Sequence, residues 1–386
     1  MKKSVFLFSL ICLLAGTACA QKVLPYKNAA LPDEERIADL LSRMTLQEKA
    51  AQLDMLDAKD IGKATFSEKS MRHYLDSMNI GIIHDFYPET AEIANTVQRR
   101  AIEKSRLGIP LLFVEEALHG YVGKGSTVFP IPLGYSCSWD STLVHSIGRV
   151  IGTEARAHGV HFVLAPNLDL AHEPRWGRVE ETYGEDSYLA SRLAVNMVKG
   201  MQGNSLKDNN SVAAEPKHFG VHGMPEGGSN AAAVSMGERE ARDVLYTFEK
   251  AIKEAHARGV MAAYHDIDGI PCVSNPWLLK QLLRKEWGFN GFVLSDLGAI
   301  ARQEGDHRTA ASHKEAIVNS ISSGLDAQFY DYPHDVFQQT IVNAVNDGSL
   351  SIKDVDRAVA GILRVKFDLG LFDRPYTNKA LVGKVF

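Results

Sequence analysis

The residues best placed to do chemistry are acids and bases that close short apolar runs. In GFVLSDLGAI (291–300), Phe292, Val293 and Leu294 lie between Gly291 and Ser295, and Asp296 stands at the exit. A strand like this in a parallel α/β barrel ends on the face where such barrels keep their chemistry, which makes Asp296 a candidate nucleophile. The alternative is structural, because Asp after a strand is also a common helix N-cap. Similar endings recur at Asp85, at Glu115 and Glu116, at Asn167 and Asp169, at Lys217 and His218, and at Tyr264 and Asp266. Acids, Lys, His and Tyr gathered on one edge suit a neutral polyhydroxylated ligand, whose hydroxyls need both donors and acceptors. His218 and His222 have i, i+4 spacing but fall on a strand end and a Gly-rich loop, so no metal site is expected. No GxGxxG or GxxxxGK[ST] follows a strand, and no cofactor is expected either.

The segments that must position these side chains alternate. Apolar runs without clear alternation at 79–86, 110–116, 160–170, 212–219, 259–266, 291–296 and 325–330 read as strands covered on both faces. Helical spacing fills the intervals: 36–57, broken near Met44, then 89–106, 140–158, 187–202, 237–257, 275–287, 313–323, 336–345 and 352–369. Thr45 followed by Glu48 is a capping-box start for the second part of the first helical stretch. This rhythm predicts an α/β fold with a parallel sheet. Seven strands suggest a TIM-type (β/α)8 barrel with one degenerate strand; an open doubly wound sheet is the second choice.

Residues 1–20 carry a signal-peptide pattern: Lys2 and Lys3, an apolar stretch at 5–14, and Ala18-Cys19-Ala20 before the expected cut. The mature chain is then 21–386, exported to the periplasm or cell surface, with lipidation of Cys19 as the one route to a membrane tether. The formal charge is −5, and −7 without the two Lys of the leader, which disfavours nucleic acid as a partner. Cys137 and Cys272 remain, and both are expected to be buried free thiols. No low-complexity tract divides 31–375, so one domain is expected.

Several motifs occur together in one order: LLSRMTLQEKAAQL (40–53), PLLFVEEALHG (110–120), HEPRWGRVEETYGED (172–186), KHF (217–219), GVMAAYHDIDGIPCVSN (259–275), GFVLSD (291–296) and RVKFDLGLFDRPY (364–376). In these the chain resembles the N-terminal barrel of glycoside hydrolase family 3, the β-glucosidase and β-xylosidase family. The resemblance implies that Asp296 is the nucleophile of a retaining, exo-acting β-glycosidase, forming a covalent glycosyl-enzyme with a β-linked glycoside or oligosaccharide. It implies that Glu116, Arg175, Lys217 and His218 bind the glycone, with Arg178 and Glu181 as neighbours and Tyr264 close to the nucleophile. Residue by residue, Lys217 also allows a Schiff-base lysine of an aldolase-type barrel.

Three departures from the family pattern bear on function. Leu297 follows Asp296 where the family usually has Trp, and Ser229 ends EGGS (226–229) where many members have Arg. The third concerns the general acid/base, which multi-domain members carry on a C-terminal sandwich domain; the sequence is read as lacking that domain, and no motif assigns the role. Glu226, His222 and Asp268 are the in-chain candidates. The alternative to an enzyme is a carbohydrate-binding pseudoenzyme or an incomplete subunit.

Overall fold

The computed structural model describes residues 24–385 except 63, 64 and 89. The leader, Cys19 and the predicted start at 21 lie outside the described residues. Thr45 caps the helix Leu46–Gln52 in a full capping box with Glu48, as the sequence predicts. That helix stops at Gln52, and the chain turns into a short strand, β1 (Met55–Asp57). Parallel strands β2 (Ile82–His84), β3 (Leu112–Glu115), β4 (Phe162–Val163) and β5 (Ala213–Ala214) follow in spatial order, with Met55 opposite Ile82 and Ile82 opposite Leu112. Phe219, beyond β5, bridges Ala262 of β6 (Gly259–Ala262). A small antiparallel hairpin, β7 (Asp266–Ile267) with β8 (Ile270–Pro271), leads toward β9 (Phe292–Ser295), which pairs with β6. Leu294 then bridges Ala327, and Gln328 N–H donates to Leu53 O at 3.1 Å, linking the last segment back to the first.

This is the α/β, TIM-type architecture expected, with two corrections. The unrecognised strand is Met55–Asp57, which the sequence reading placed inside the helical stretch 36–57; two apolar residues and an Asp after a helix end acquire strand character only by pairing with β2. The predicted strand 325–330 is reduced to one bridge at Ala327. The stretch 237–257 also divides, into Glu238–Val244 and Tyr246–Lys253.

Inside the barrel Phe162 and Phe292 stack with ring centroids 4.9 Å apart. Gly259 is required beside them, because a Cβ there would sit 2.2 Å from Phe162 Cζ. On the outside, amphipathic helices such as Asp33–Arg43 and Ile352–Asp368 bury one face each. Cys272 is buried, but Cys137 is exposed, a correction to the sequence reading: it follows the short helix Pro132–Ser136 at its open end. No helix among the described residues is long and apolar enough to cross a membrane.

Candidate active site

Asp296 is the residue after β9, and its backbone N–H donates to Ala262 O at 2.9 Å, fixing it to the exit of β6 as well. Its side chain caps no helix: Oδ1 accepts from the adjacent Leu297 N–H at 2.7 Å and Oδ2 has no hydrogen-bond partner. The residue is 5% exposed. Burial pushes its carboxyl up to about 7, against the Leu297 amide and the charges of Arg178 and Lys217. A buried carboxyl short of hydrogen bonds, with its pKa shifted toward neutrality at a strand exit, is a functional-site candidate.

Four strand ends supply the surrounding groups. His218 Nε2 lies 3.7 Å from Asp296 Oδ2. Arg178 Nη2 points at the same His218 nitrogen at 3.0 Å, and a guanidinium only donates, so Nε2 carries the lone pair. The ring hydrogen is therefore on Nδ1, which donates to Asp169 Oδ2 at 2.9 Å, while the His218 amide donates to Asp169 Oδ1 at 3.2 Å. Burial, with Arg178 alongside, holds His218 well below its ordinary pKa and thus neutral. Both ring nitrogens are committed, so His218 orients Arg178 and Asp169 rather than facing open space.

Arg178 is the hub. It forms a two-pronged pair with Glu181, Nε to Oε1 and Nη2 to Oε2, each at 2.8 Å, and Nη1 donates to Tyr264 OH at 3.1 Å. Glu181 also accepts from Asn167 Nδ2 at 3.2 Å. Burial opposes the Glu181 charge, but Arg178 outweighs it and keeps the carboxyl below its usual range. Lys217 Nζ meets both oxygens of Glu116 at 2.9 and 2.8 Å; the lysine is buried and Glu116 is the half-open end of the pair. That ion pair engages the nitrogen that the Schiff-base alternative would use.

The structure thus brings Asp296, Glu116, Lys217, His218 and Tyr264 into one constellation, but not Arg175. Arg175 closes a two-pronged pair with Glu173, at 2.8 and 2.6 Å, with its side chain 68% exposed. The guanidinium at the centre is Arg178, three residues on. Asp169 and Asn167, noted only as strand-end residues, belong to the same network. Of the acid/base candidates, His222 is buried with its nitrogens facing His265 Nδ1 at 3.0 Å and Asn230 Oδ1 at 3.1 Å. Asp268 accepts from Met236 N–H beside the hairpin turn, and Glu226 from Ser235 Oγ. Among the described contacts, none of the three hydrogen-bonds or ion-pairs with Asp296. Leu297, next to the nucleophile candidate, is largely exposed.

The raised carboxyl sets a pH dependence. A nucleophilic role for Asp296 requires the ionised form and predicts that kcat/KM for a substrate whose leaving group needs no proton rises about tenfold per pH unit to near pH 7 and then levels off. A pH–rate profile with 2,4-dinitrophenyl β-glucoside measures it, and a flat profile down to pH 5 would contradict the assignment.

Comparisons with known proteins bear on the family and the fold. Residues 45–365 match the model of the glycosyl hydrolase family 3 N terminal domain. The chain is 38% identical over 375 residues to a putative beta-xylosidase of Formosa agariphila, covering 93% of this chain and 49% of that one. It is 35% identical over 356 residues to a periplasmic beta-glucosidase of Salmonella typhimurium, covering 92% and 45%. The structure of a b-glucosidase from Erythrobacter marinus superposes with a TM-score of 0.87 at 33% identity, over 95% of this chain and 49% of that one. The chain spans about half the length of the curated relatives it matches.

Proposed function

The chain belongs to glycosyl hydrolase family 3, and from that premise we propose that it is the barrel of an exported, exo-acting, retaining β-glycosidase of β-glucosidase or β-xylosidase type. The observation that carries the reading is Asp296, buried at the exit of β9 with one oxygen unpartnered and ringed by Glu116–Lys217, Arg178–Glu181 and His218–Asp169. Export rests on the leader pattern at 1–20 and on the periplasmic name of the Salmonella relative.

In this reading a sugar enters over the half-open Glu116, whose oxygens accept hydroxyl hydrogens while Lys217 donates. Asp296 attacks the anomeric carbon as the glycosidic bond breaks, the bonding pair leaving with the aglycone oxygen, and a glycosyl ester forms on the carboxylate. Water then cleaves the ester with a second inversion, so the product keeps the β configuration. Arg178, beside His218 and Tyr264, supplies fixed positive charge near the nucleophile without moving. Arg175 has no part in this scheme.

The test uses 2,4-dinitrophenyl β-glucoside and β-xyloside, whose aglycone departs without protonation. Turnover with the β-anomer appearing first by NMR, and a mass increase on the peptide containing Asp296 after treatment with a 2-deoxy-2-fluoroglucosyl donor, are expected. First appearance of the α-anomer would overturn the retaining mechanism. A second reading, sugar binding without turnover, is favoured by one observation: His222, Glu226 and Asp268 are each engaged elsewhere. It predicts glucose-dependent thermal stabilisation with no product from either substrate.

A further inference from the structure

The loop after Lys217 and His218 brings one more side chain to the site, and nothing in the scheme above uses it. Asn230 is solvent-exposed, yet its amide is held in one orientation. Trp176 Nε1–H reaches the Asn230 amide at 2.8 Å, and an indole nitrogen only donates, so the atom it meets is Oδ1. Trp176 is itself buried, standing edge-on to the His222 ring at 5.0 Å, and His222 Nε2 approaches the same Oδ1 at 3.1 Å. Asn230 Nδ2 is therefore directed to Tyr264 OH, at 3.1 Å.

Tyr264 receives a second donor at the same oxygen, Arg178 Nη1, also at 3.1 Å. The Tyr264 oxygen here accepts at two positions and carries one hydrogen. With both positions filled from Asn230 and Arg178, the hydrogen has to point away from both. The ring cannot turn to compensate easily: His218 stacks on one side at 6.2 Å, and the Arg302 guanidinium covers the ring at 5.3 Å.

We propose that Asn230 is a positioning residue, which together with Arg178 saturates the Tyr264 oxygen and so aims the phenolic hydrogen at the bound glycone. Tyr264 thereby becomes a fixed donor to an acceptor oxygen of the sugar. Asn230 acts through Tyr264, and the inference rests on the reading of this site as a glycoside site.

A double-mutant cycle tests it: Asn230→Ala, Tyr264→Phe and the pair, measured as kcat/KM on 2,4-dinitrophenyl β-glucoside and as Kd for the iminosugar isofagomine by calorimetry. Asn230→Ala is expected to lower kcat/KM about tenfold and to weaken isofagomine binding, and to change either by less than about twofold once Tyr264 is Phe. Asn230→Asp, which keeps the acceptor for Trp176 and His222 but cannot donate to Tyr264, is expected to lose as much as Asn230→Ala. That near-isosteric variant also serves if Asn230→Ala folds poorly. Losses that simply multiply in the double variant, or full activity in Asn230→Asp, would overturn the proposal while leaving the glycosidase reading intact. A wild-type chain that neither turns over the glucoside nor binds isofagomine would remove that reading and this inference together. If it binds isofagomine without turnover, the cycle in Kd decides.

Discussion

Asp296→Asn is expected to lower kcat/KM for 2,4-dinitrophenyl β-glucoside by about 10⁴-fold or more, because the amide is nearly isosteric but cannot form the glycosyl ester. A loss confined to substrates with poor leaving groups would instead assign Asp296 to proton transfer. The same variant should be more stable than the wild type, in a pH-dependent way. Burial raises the folded-state pKa of Asp296 to about 7, from an unfolded value of about 3.9. Between those values the folded chain holds a proton that the unfolded chain has lost, so wild-type stability falls as pH rises through that window and stays lower above it. Asn does not titrate. The melting temperature of Asp296→Asn should therefore match the wild type near pH 4 and exceed it by several degrees at pH 8, where the ionised carboxylate is costliest to bury. Equal melting temperatures at pH 8 would mean that the carboxylate is better satisfied than its unpartnered Oδ2 indicates. An active-site group that destabilises the fold is the usual exchange of stability for reactivity.

The second large effect separates two arginines three residues apart. Arg178→Ala should cost about 10³-fold in kcat/KM, since it strips Glu181 of its two-pronged partner, releases the tautomer of His218, and takes a donor from Tyr264 in one step. Arg178→Lys should recover little. A single ammonium cannot occupy the positions of Nε, Nη1 and Nη2 at once. Arg175→Ala should change kcat/KM by less than about threefold, because the guanidinium is exposed and its partner Glu173 is no part of the network around Asp296. The resemblance at HEPRWGRVEETYGED implies the opposite assignment, with Arg175 as the binding residue. Kinetics of the two alanine variants side by side decide it; a large loss in Arg175→Ala with a small one in Arg178→Ala would show that the loop rearranges around substrate.

Much of this molecule is decided within a few residues along the chain. The exit of β9 at Asp296, the capping box of Thr45 and Glu48, the helix at His313–Ser323 and the parallel α/β rhythm are all local patterns of apolar spacing, caps and strand-end polar residues. Such patterns fix backbone conformation and which face is buried, and they sufficed to place Asp296, Lys217, His218 and Tyr264 on one edge of the sheet. What they leave open is which partner a loop side chain finds. Met55–Asp57 is a strand only because Ile82–His84 lies beside it, and Cys137, just past the end of its short helix, is exposed. Arg175 and Arg178 sit in one loop without periodicity. Their fates diverge because Arg178 meets His218 and Tyr264, forty and eighty-six positions away, while Arg175 meets its neighbour Glu173. Asn230 and Trp176 are likewise joined across fifty-four positions, a pairing that decides which way an amide faces. The sequence by itself determined the parallel α/β rhythm and the strand exit at which Asp296 stands, since both follow from local patterning. The tertiary structure alone decided the network of donors around Asp296, because hydrogen-bond partners are chosen by distance in space.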